Sequence, residues 1–368
     1  MLLCSSEDMT EMNDKVYLLS LTVAGIKNIR NELRLKFYKK TVNKSFDPSK
    51  HRIKAIYGEN GCGKTAVITA AQILKDLICI RTCLDDAAYQ SFLCDVINLH
   101  DQKLHLECEF YYYTEPADQV YHYTIELSKD SSCNYKISSE ELTYRKADYP
   151  ASKVNIAYST AEEAASAGSE HKNALQELGA SLRTNIEIPS ASKVSSEGYC
   201  DKEALENLTR FIRVFKPELK QIITDGSSEM SEEGTGLMLD YGNSRVKMQQ
   251  ESSGIRNLIN LWPCLKASND AGIVFIDGFD RDINEIYFNR LIRYFTQYGE
   301  GQLCFTVSNT EPMQELRKYK NSIDFLSSDG KVTHWRTSGN FSPDSLYKNG
   351  MIENLPFNIE PEDFLGLL

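Results

Sequence analysis

Eight consecutive residues, Gly58-Glu59-Asn60-Gly61-Cys62-Gly63-Lys64-Thr65, have the types and spacing of a phosphate-binding loop. The apolar run from Ile53 to Tyr57 precedes them, and Ala66 to Leu74 reads as a helix. Glycines in such a loop let successive backbone N–H groups face inward at the positive end of the helix that follows. Asn60, Gly61, Cys62, Gly63, Lys64, Thr65 and Ala66 are therefore the candidate nucleotide-binding residues. Lys64 would reach the β- and γ-phosphates, and the Thr65 hydroxyl would bind Mg²⁺. The bland alternative is a Gly-rich turn that merely precedes a helix; the correct strand and helix flanks weigh against it.

Elements must then position that loop. The chain has 368 residues, which predicts one large domain with insertions or two domains. Val16–Val23, Leu33–Phe37, Leu104–Tyr113 and Val120–Leu127 read as strands, the last two as an antiparallel hairpin. Ile137 and Leu142–Tyr144 suggest further strands in the same layer. Helical spacing covers Ala66 to about Leu84 and Ala87–Val96. From residue 151 the composition turns to Ala, Ser and Glu, with candidate helices at Ala161–Ala167 and His171–Leu182 broken by Gly168 and Gly179. Asp201–Phe215 is amphipathic with Asp201 as a cap, and a hairpin is expected around Tyr241-Gly242-Asn243. Beyond it lie a helix at Asn257–Leu265, the apolar strand Gly272–Asp277, a helix at Ile283–Tyr298 and the strand Gln302–Val307. The two continuous apolar runs suit central parallel strands. Short strands follow, including Lys331–Trp335. The expected division is 1–150 (phosphate loop and β-layer), 151–200 (an inserted arm, with disorder as its alternative) and 201–368 (a C-terminal lobe).

Composition sets limits. Net charge is −11, which argues against a general nucleic-acid coat. Lys27, Arg30, Arg34, Lys36, Lys39 and Lys40 form a modest basic cluster, read as either a DNA-facing patch or the wet side of a sheet. No apolar run reaches membrane-spanning length, and an acidic N-terminal stretch stands where a secretion signal would be basic, so a cytoplasmic protein with no membrane partner is expected. The 10 cysteines are expected to be reduced, buried and apolar in role. Cys62 is either a tolerated side chain at a variable loop position or an oxidation-sensitive one.

Five segments stand in one order: GIKNI (25–29), GENGCGKT (58–65), ESSGIRNL (251–258), GIVFIDGFD (272–280) and GQLCFTVSNTEPM (301–313). Together they resemble the ABC-type ATPase head of the RecF/SMC/Rad50 class, most closely the stand-alone bacterial ATPases related to overcoming-lysogeny and abortive-infection proteins. The resemblance covers nearly the whole chain. It implies an α/β P-loop NTPase of ABC type, with a mixed central sheet, an antiparallel β-layer and an inserted helical arm. It also implies ATP and Mg²⁺ as cofactors, with Asp277 as a second metal ligand; a solvent-facing strand-terminal acid is the alternative. Ser252, Ser253 and Gly254 would form a signature turn that closes over the partner protomer's ATP. Helix capping by Ser252 or Ser253 is the simpler alternative.

Two positions depart from the family pattern. Gly278 stands where the family has the glutamate that activates water, and Ser308 stands where it has a γ-phosphate-contacting histidine. General-base help of the first kind is typically worth about 10²–10⁴-fold. Asp280 falls in the loop that crosses the family's dimer interface and is not assigned as the base, and Gln102 is a candidate for the family's glutamine loop. The expectation is an ATP-gated dimerising switch or scaffold, with hydrolysis weak or lost. It would work as a homodimer or with an intact paralogous ATPase, controlling a separate nuclease or toxin effector in phage defence. The alternative is an active ATPase that acts on DNA or with a nuclease partner.

Overall fold

A computed structural model describes residues 16–113, 117–160, 168–185, 202–224, 236–335, 341–355, 361–365 and 367. The chain begins with β1 (Val16–Ala24), β2 (Leu33–Lys36), β3 (Ile53–Gly58), α1 (Lys64–Cys79) and α2 (Ala87–Val96). Four strands follow, β4 (Lys103–Tyr112), β5 (Gln119–Lys129), β6 (Tyr135–Lys146) and β7 (Asn155–Ser159), then α3 (Ser169–Ser181) and β8 (Leu182–Asn185). Next come α4 (Lys202–Arg213), β9 (Gln221–Thr224), β10 (Leu237–Asp240), β11 (Arg245–Lys247), α5 (Ser253–Asn269) and β12 (Ile273–Ile276). The last elements are α6 (Glu285–Tyr298), β13 (Gln302–Thr306), α7 (Met313–Leu316), β14 (Ile323–Leu326), β15 (Val332–His334) and α8 (Pro343–Lys348).

The fold is α/β, and its central sheet is mixed. Strand order is β15-β14-β3-β13-β12-β8. All neighbours pair in parallel except β14 and β15. This is what the uninterrupted apolar runs at Ile273–Ile276 and Gln302–Thr306 require: every residue of both strands is buried. A second sheet, β2-β1-β4-β5-β6-β7, is wholly antiparallel. Its strands alternate buried and half-exposed residues, because one face meets the core and the other meets solvent.

Helix α1 lies between the two sheets. Twelve of its residues are buried, from Ala66 to Ile78. They share one core with Leu21, Val23, Leu106 and Ile125 of the antiparallel sheet and Phe275 of the central one. A helix apolar on most sides belongs in such a place. Gln302 bonds the sheets directly: Leu18 N donates to its Oε1 at 2.6 Å, and its Nε2 donates to Leu18 O at 2.9 Å. The β1–β4 register slips between Leu18 and Ser20, so the bulge turns Leu18's backbone groups from β4 toward Gln302.

Several local readings needed the tertiary structure. Helix α3 does not break at Gly179; that glycine lets α3 approach α1, since a Cβ there would meet Cys79 Sγ at 2.5 Å. The described part of 151–200 joins both sheets: β7 extends the antiparallel one, and β8 is the edge strand beside β12. Residues 161–167, 186–200 and the expected cap Asp201 lie outside the described residues. Helix α5 starts at Ser253 and runs through Pro263 to Asn269, longer than its apolar periodicity suggested. Of the eight described cysteines, all free thiols, Cys62, Cys108, Cys264 and Cys304 are buried, whereas Cys79 and Cys133 are exposed. Among the described residues no helix is long and apolar enough to cross a membrane.

Candidate nucleotide site

The phosphate loop spans the gap between β3 and α1. Gly61 and Gly63 have φ of 81° and 107°, in the left-handed region that favours glycine. A Cβ at Gly63 would also press on Asn28 Oδ1 and Ile29 Cγ1, each at 3.1 Å. The Gly25–Ile29 turn thus packs against the loop, and Asn28 Nδ2 donates to Gly61 O at 2.7 Å. Lys64 Nζ donates to Gly58 O at 2.6 Å and Glu59 O at 2.9 Å, which holds its ammonium over the loop. Cys62 points into the core and is 1% exposed, so its side chain packs beneath the loop. Burial pushes its thiol pKa up, against the pull of Lys64, and so disfavours the reactive thiolate.

Lys27 was grouped by sequence with the basic residues of a wet strand face. It sits instead in the Gly25–Ile29 turn at φ 48°, and its Nζ donates to Thr69 Oγ1 on α1 at 3.2 Å. The residue is exposed, but partial desolvation of its ammonium lowers its pKa, and the nearby Asp277 charge partly offsets this. Arg34 does lie on the sheet, facing Ser20 and Glu107.

Asp277 follows β12 directly. Its Oδ2 accepts from Thr65 Oγ1 at 2.8 Å and its Oδ1 accepts from Thr306 Oγ1 at 2.7 Å. The loop threonine and the strand-end acid, 212 residues apart in the chain, are therefore in contact. Parallel pairing of β12 with β13, and of β13 with β3, brings both to one end of the sheet. Hard oxygen donors from a hydroxyl and a carboxylate suit Mg²⁺, which takes few protein ligands and completes its shell with phosphate and water. Among the described residues no cluster of three His, Cys, Asp or Glu side chains could hold a metal; Thr65 and Asp277 would supply only two protein oxygens to such an ion.

The chain then turns sharply. Gly278 has φ 61°, and its N–H donates to Thr306 Oγ1 at 2.7 Å. This turn sends Phe279 back into the core against Phe288 and Phe305. Asp280 Oδ2 accepts from Ser308 N at 2.9 Å and Asn309 N at 2.7 Å. The Asp280 carboxylate thus anchors the tip of β13 at Ser308 to the turn that follows Gly278. Sequence reasoning placed Asp280 in the family's interface-crossing loop and did not foresee this anchoring; nothing short of the fold brings backbone groups 28 and 29 residues away onto one carboxylate.

The turn at Ser252–Gly254 sits beside this segment. A Cβ on Gly254 would come within 2.5 Å of Asp282 O, so glycine is required for the approach of α5 to the 278–284 segment. Asn257 Nδ2 donates to Arg281 O at 2.5 Å. Ser252 occupies the cap position of α5 but its side chain makes no capping bond, and both Ser252 and Ser253 are exposed. Simple helix capping therefore does not account for Ser252. Glu251, next in line, accepts from Tyr241 Oη at 2.5 Å and pairs with Lys216 Nζ at 2.9 Å, which braces the turn from behind.

The candidate Gln102 lies in the turn before β4, on the antiparallel sheet. The strand neighbouring Asp277 is β8, and Asp277 N donates to Asn185 O at 3.0 Å. Asn185 also donates to Asn260 O at 3.2 Å. Sequence reasoning missed Asn185, because a four-residue strand within an Ala/Ser/Glu-rich stretch carries no clear period.

No protein-family model and no curated protein matches this sequence. Solved structures do match. One described as "Crystal structure of the SmcHead bound to the C-winged helix domain of ScpA" aligns over 88% of this chain and 98% of its own, with a TM-score of 0.51 and 13% identity. The chain resembles an SMC head in fold. A second, the "SMC head domain from Thermotoga maritima", aligns over 87% and 99% with a TM-score of 0.38 and 13% identity. The ABC-type P-loop architecture expected from motif order is thus present.

Proposed function

We propose that the protein is an ATP-binding, ATP-gated dimerising switch in which hydrolysis is weak or lost. The observation that carries this reading is the contact between Thr65 and Asp277, made next to Gly278 and Ser308. Lys64 and the loop N–H groups would hold the β- and γ-phosphates, and Thr65 with Asp277 would hold Mg²⁺. The ion would supply charge neutralisation across the phosphates. Asp280 is read as an anchor of the strand tip rather than as the base, since its Oδ2 already accepts from two backbone N–H groups. Ser252 and Ser253, exposed at the start of α5, and the half-buried Gly254 would close over nucleotide on a second protomer.

Closure without turnover is long-lived, which suits control of a separate nuclease or toxin effector, in phage defence by the resemblance of the motifs. A ligand at a hundred times its Kd stabilises the bound form by about 2.7 kcal/mol, enough to hold such a dimer shut. Two measurements on purified protein test the proposal: ATP-dependent dimerisation and phosphate release. The expected result is an ATP-dependent dimer, lost in Lys64→Ala, with phosphate release near background. Turnover abolished by Lys64→Ala would show an active ATPase instead, and absence of ATP binding would end both readings.

A further inference from the structure

The turn at Gly278 has an occupant. A Cβ placed there would lie 3.4 Å from Arg281 Nη2, 3.5 Å from Nε and 3.7 Å from Cζ. The guanidinium therefore covers the side of residue 278 from which a glutamate side chain would extend. Its backbone is held on both sides: Arg281 N donates to Gly278 O at 2.9 Å, and Arg281 O accepts from Asn257. Arg281 is exposed. Gly278 adjoins Asp277, whose carboxylate touches Thr65 in the first turn of α1. A permanently charged fork of donors thus flanks Gly278, the residue next to the proposed metal ligand.

We infer that Arg281 binds the γ-phosphate of ATP held on its own protomer. The planar guanidinium matches phosphate oxygens with paired, charge-assisted hydrogen bonds. It has no acceptor and does not deprotonate in proteins, so it cannot take a proton from an attacking water. Exchanging the carboxylate for this cation changes the site's task from activating water to gripping the terminal phosphate, and no bond is made or broken. This assignment rests on the proposed ATP-binding function and names the residue that tells ATP from ADP.

Calorimetric titration of the full chain with Mg²⁺ and either ATP or ADP tests it, with wild type, Arg281→Ala and Arg281→Lys. Arg281→Ala is expected to weaken ATP by about 10- to 100-fold, the loss of charged hydrogen bonds to phosphate, and to leave ADP affinity unchanged. Arg281→Lys keeps the charge but not the fork and should fall between. Equal weakening of both nucleotides, or no weakening of either, overturns the assignment. A wild type that binds neither nucleotide removes the underlying function. A wild type that prefers ATP, with that preference intact in Arg281→Ala, removes the Arg281 assignment alone. If Arg281→Ala does not fold, Arg281→Lys carries the same ATP-against-ADP comparison.

Discussion

Two aspartates on the central sheet, Asp324 and Asp277, have opposite surroundings. Asp324 on β14 is fully buried, with Lys54 Nζ at 2.6 Å and His334 Nδ1 at 2.6 Å. Asp277, just beyond β12, touches two neutral hydroxyls and, among the described residues, forms no ion pair. A buried carboxylate with a buried cation completes itself, and nothing is left to recruit. A carboxylate at the strand ends, oriented by hydroxyls, is the one that the proposed function would give to a cation from outside the chain. In that reading the first belongs to folding and the second to the site.

The largest expected effect separates them. Asp324→Ala leaves Lys54 buried without a counterion and should cost about 3–5 kcal/mol in urea unfolding. Asp277→Ala removes two hydroxyl contacts and should cost about 1 kcal/mol, while abolishing any Mg²⁺-dependent gain in ATP affinity. Equal stability losses would break the distinction. Next in size, Lys64→Ala should weaken ATP by about 100-fold or more, read by calorimetry, with little change in apo stability.

A third carboxylate sharpens the contrast through pH. Asp76 is buried in α1, where Gln72 Nε2 donates to it at 2.7 Å and Tyr89 Oη at 3.4 Å. Burial raises its pKa to about 6. Its folded form holds a proton that the unfolded form releases, so its contribution is full below the unfolded value and fades as pH rises through about 6. That loss is worth about 3 kcal/mol. For Asp324, burial raises the pKa, but Lys54 and His334 outweigh it and hold it below the ordinary value. Its contribution is present above the unfolded carboxylate pKa and is lost only as pH falls through the depressed folded value. Asp76→Asn should therefore be more stable than wild type at neutral pH and converge with it in acid, as urea midpoints across pH would show; an unchanged profile would mean that Asp76 is solvated.

The smallest effect concerns the degenerate turn. At φ 61° any side chain at position 278 is strained, so Gly278→Ala should cost about 1–2 kcal/mol in thermal unfolding although it removes no hydrogen bond. The same strain, together with Arg281 alongside, means that Gly278→Glu with Ser308→His should not restore rapid phosphate release. Full restoration would show that the missing glutamate and histidine together, and not the strained turn or Arg281, silence the site.

Much of this was legible in the chain. The phosphate loop and its flanking strand and helix, the apolar strands at Ile273 and Gln302, and Ala87–Val96 as α2 follow from glycine spacing and periodicity, which are local properties. Even so, β8 escaped, because an edge strand of four residues depends on β12 for its existence. Lys27 and Asp280 were misjudged or left idle because their partners, Thr69 and the 308–309 backbone, are distant in sequence. The sequence by itself determined that a loop of the phosphate-binding pattern is present and that Gly278 and Ser308 stand at the two positions named above, since both are matters of residue identity. Only the tertiary structure decided that Thr65 meets Asp277, that Asp280 locks the strand tip and that Arg281 covers Gly278. Those contacts depend on parallel strand ends converging and on a left-handed turn that no local pattern encodes.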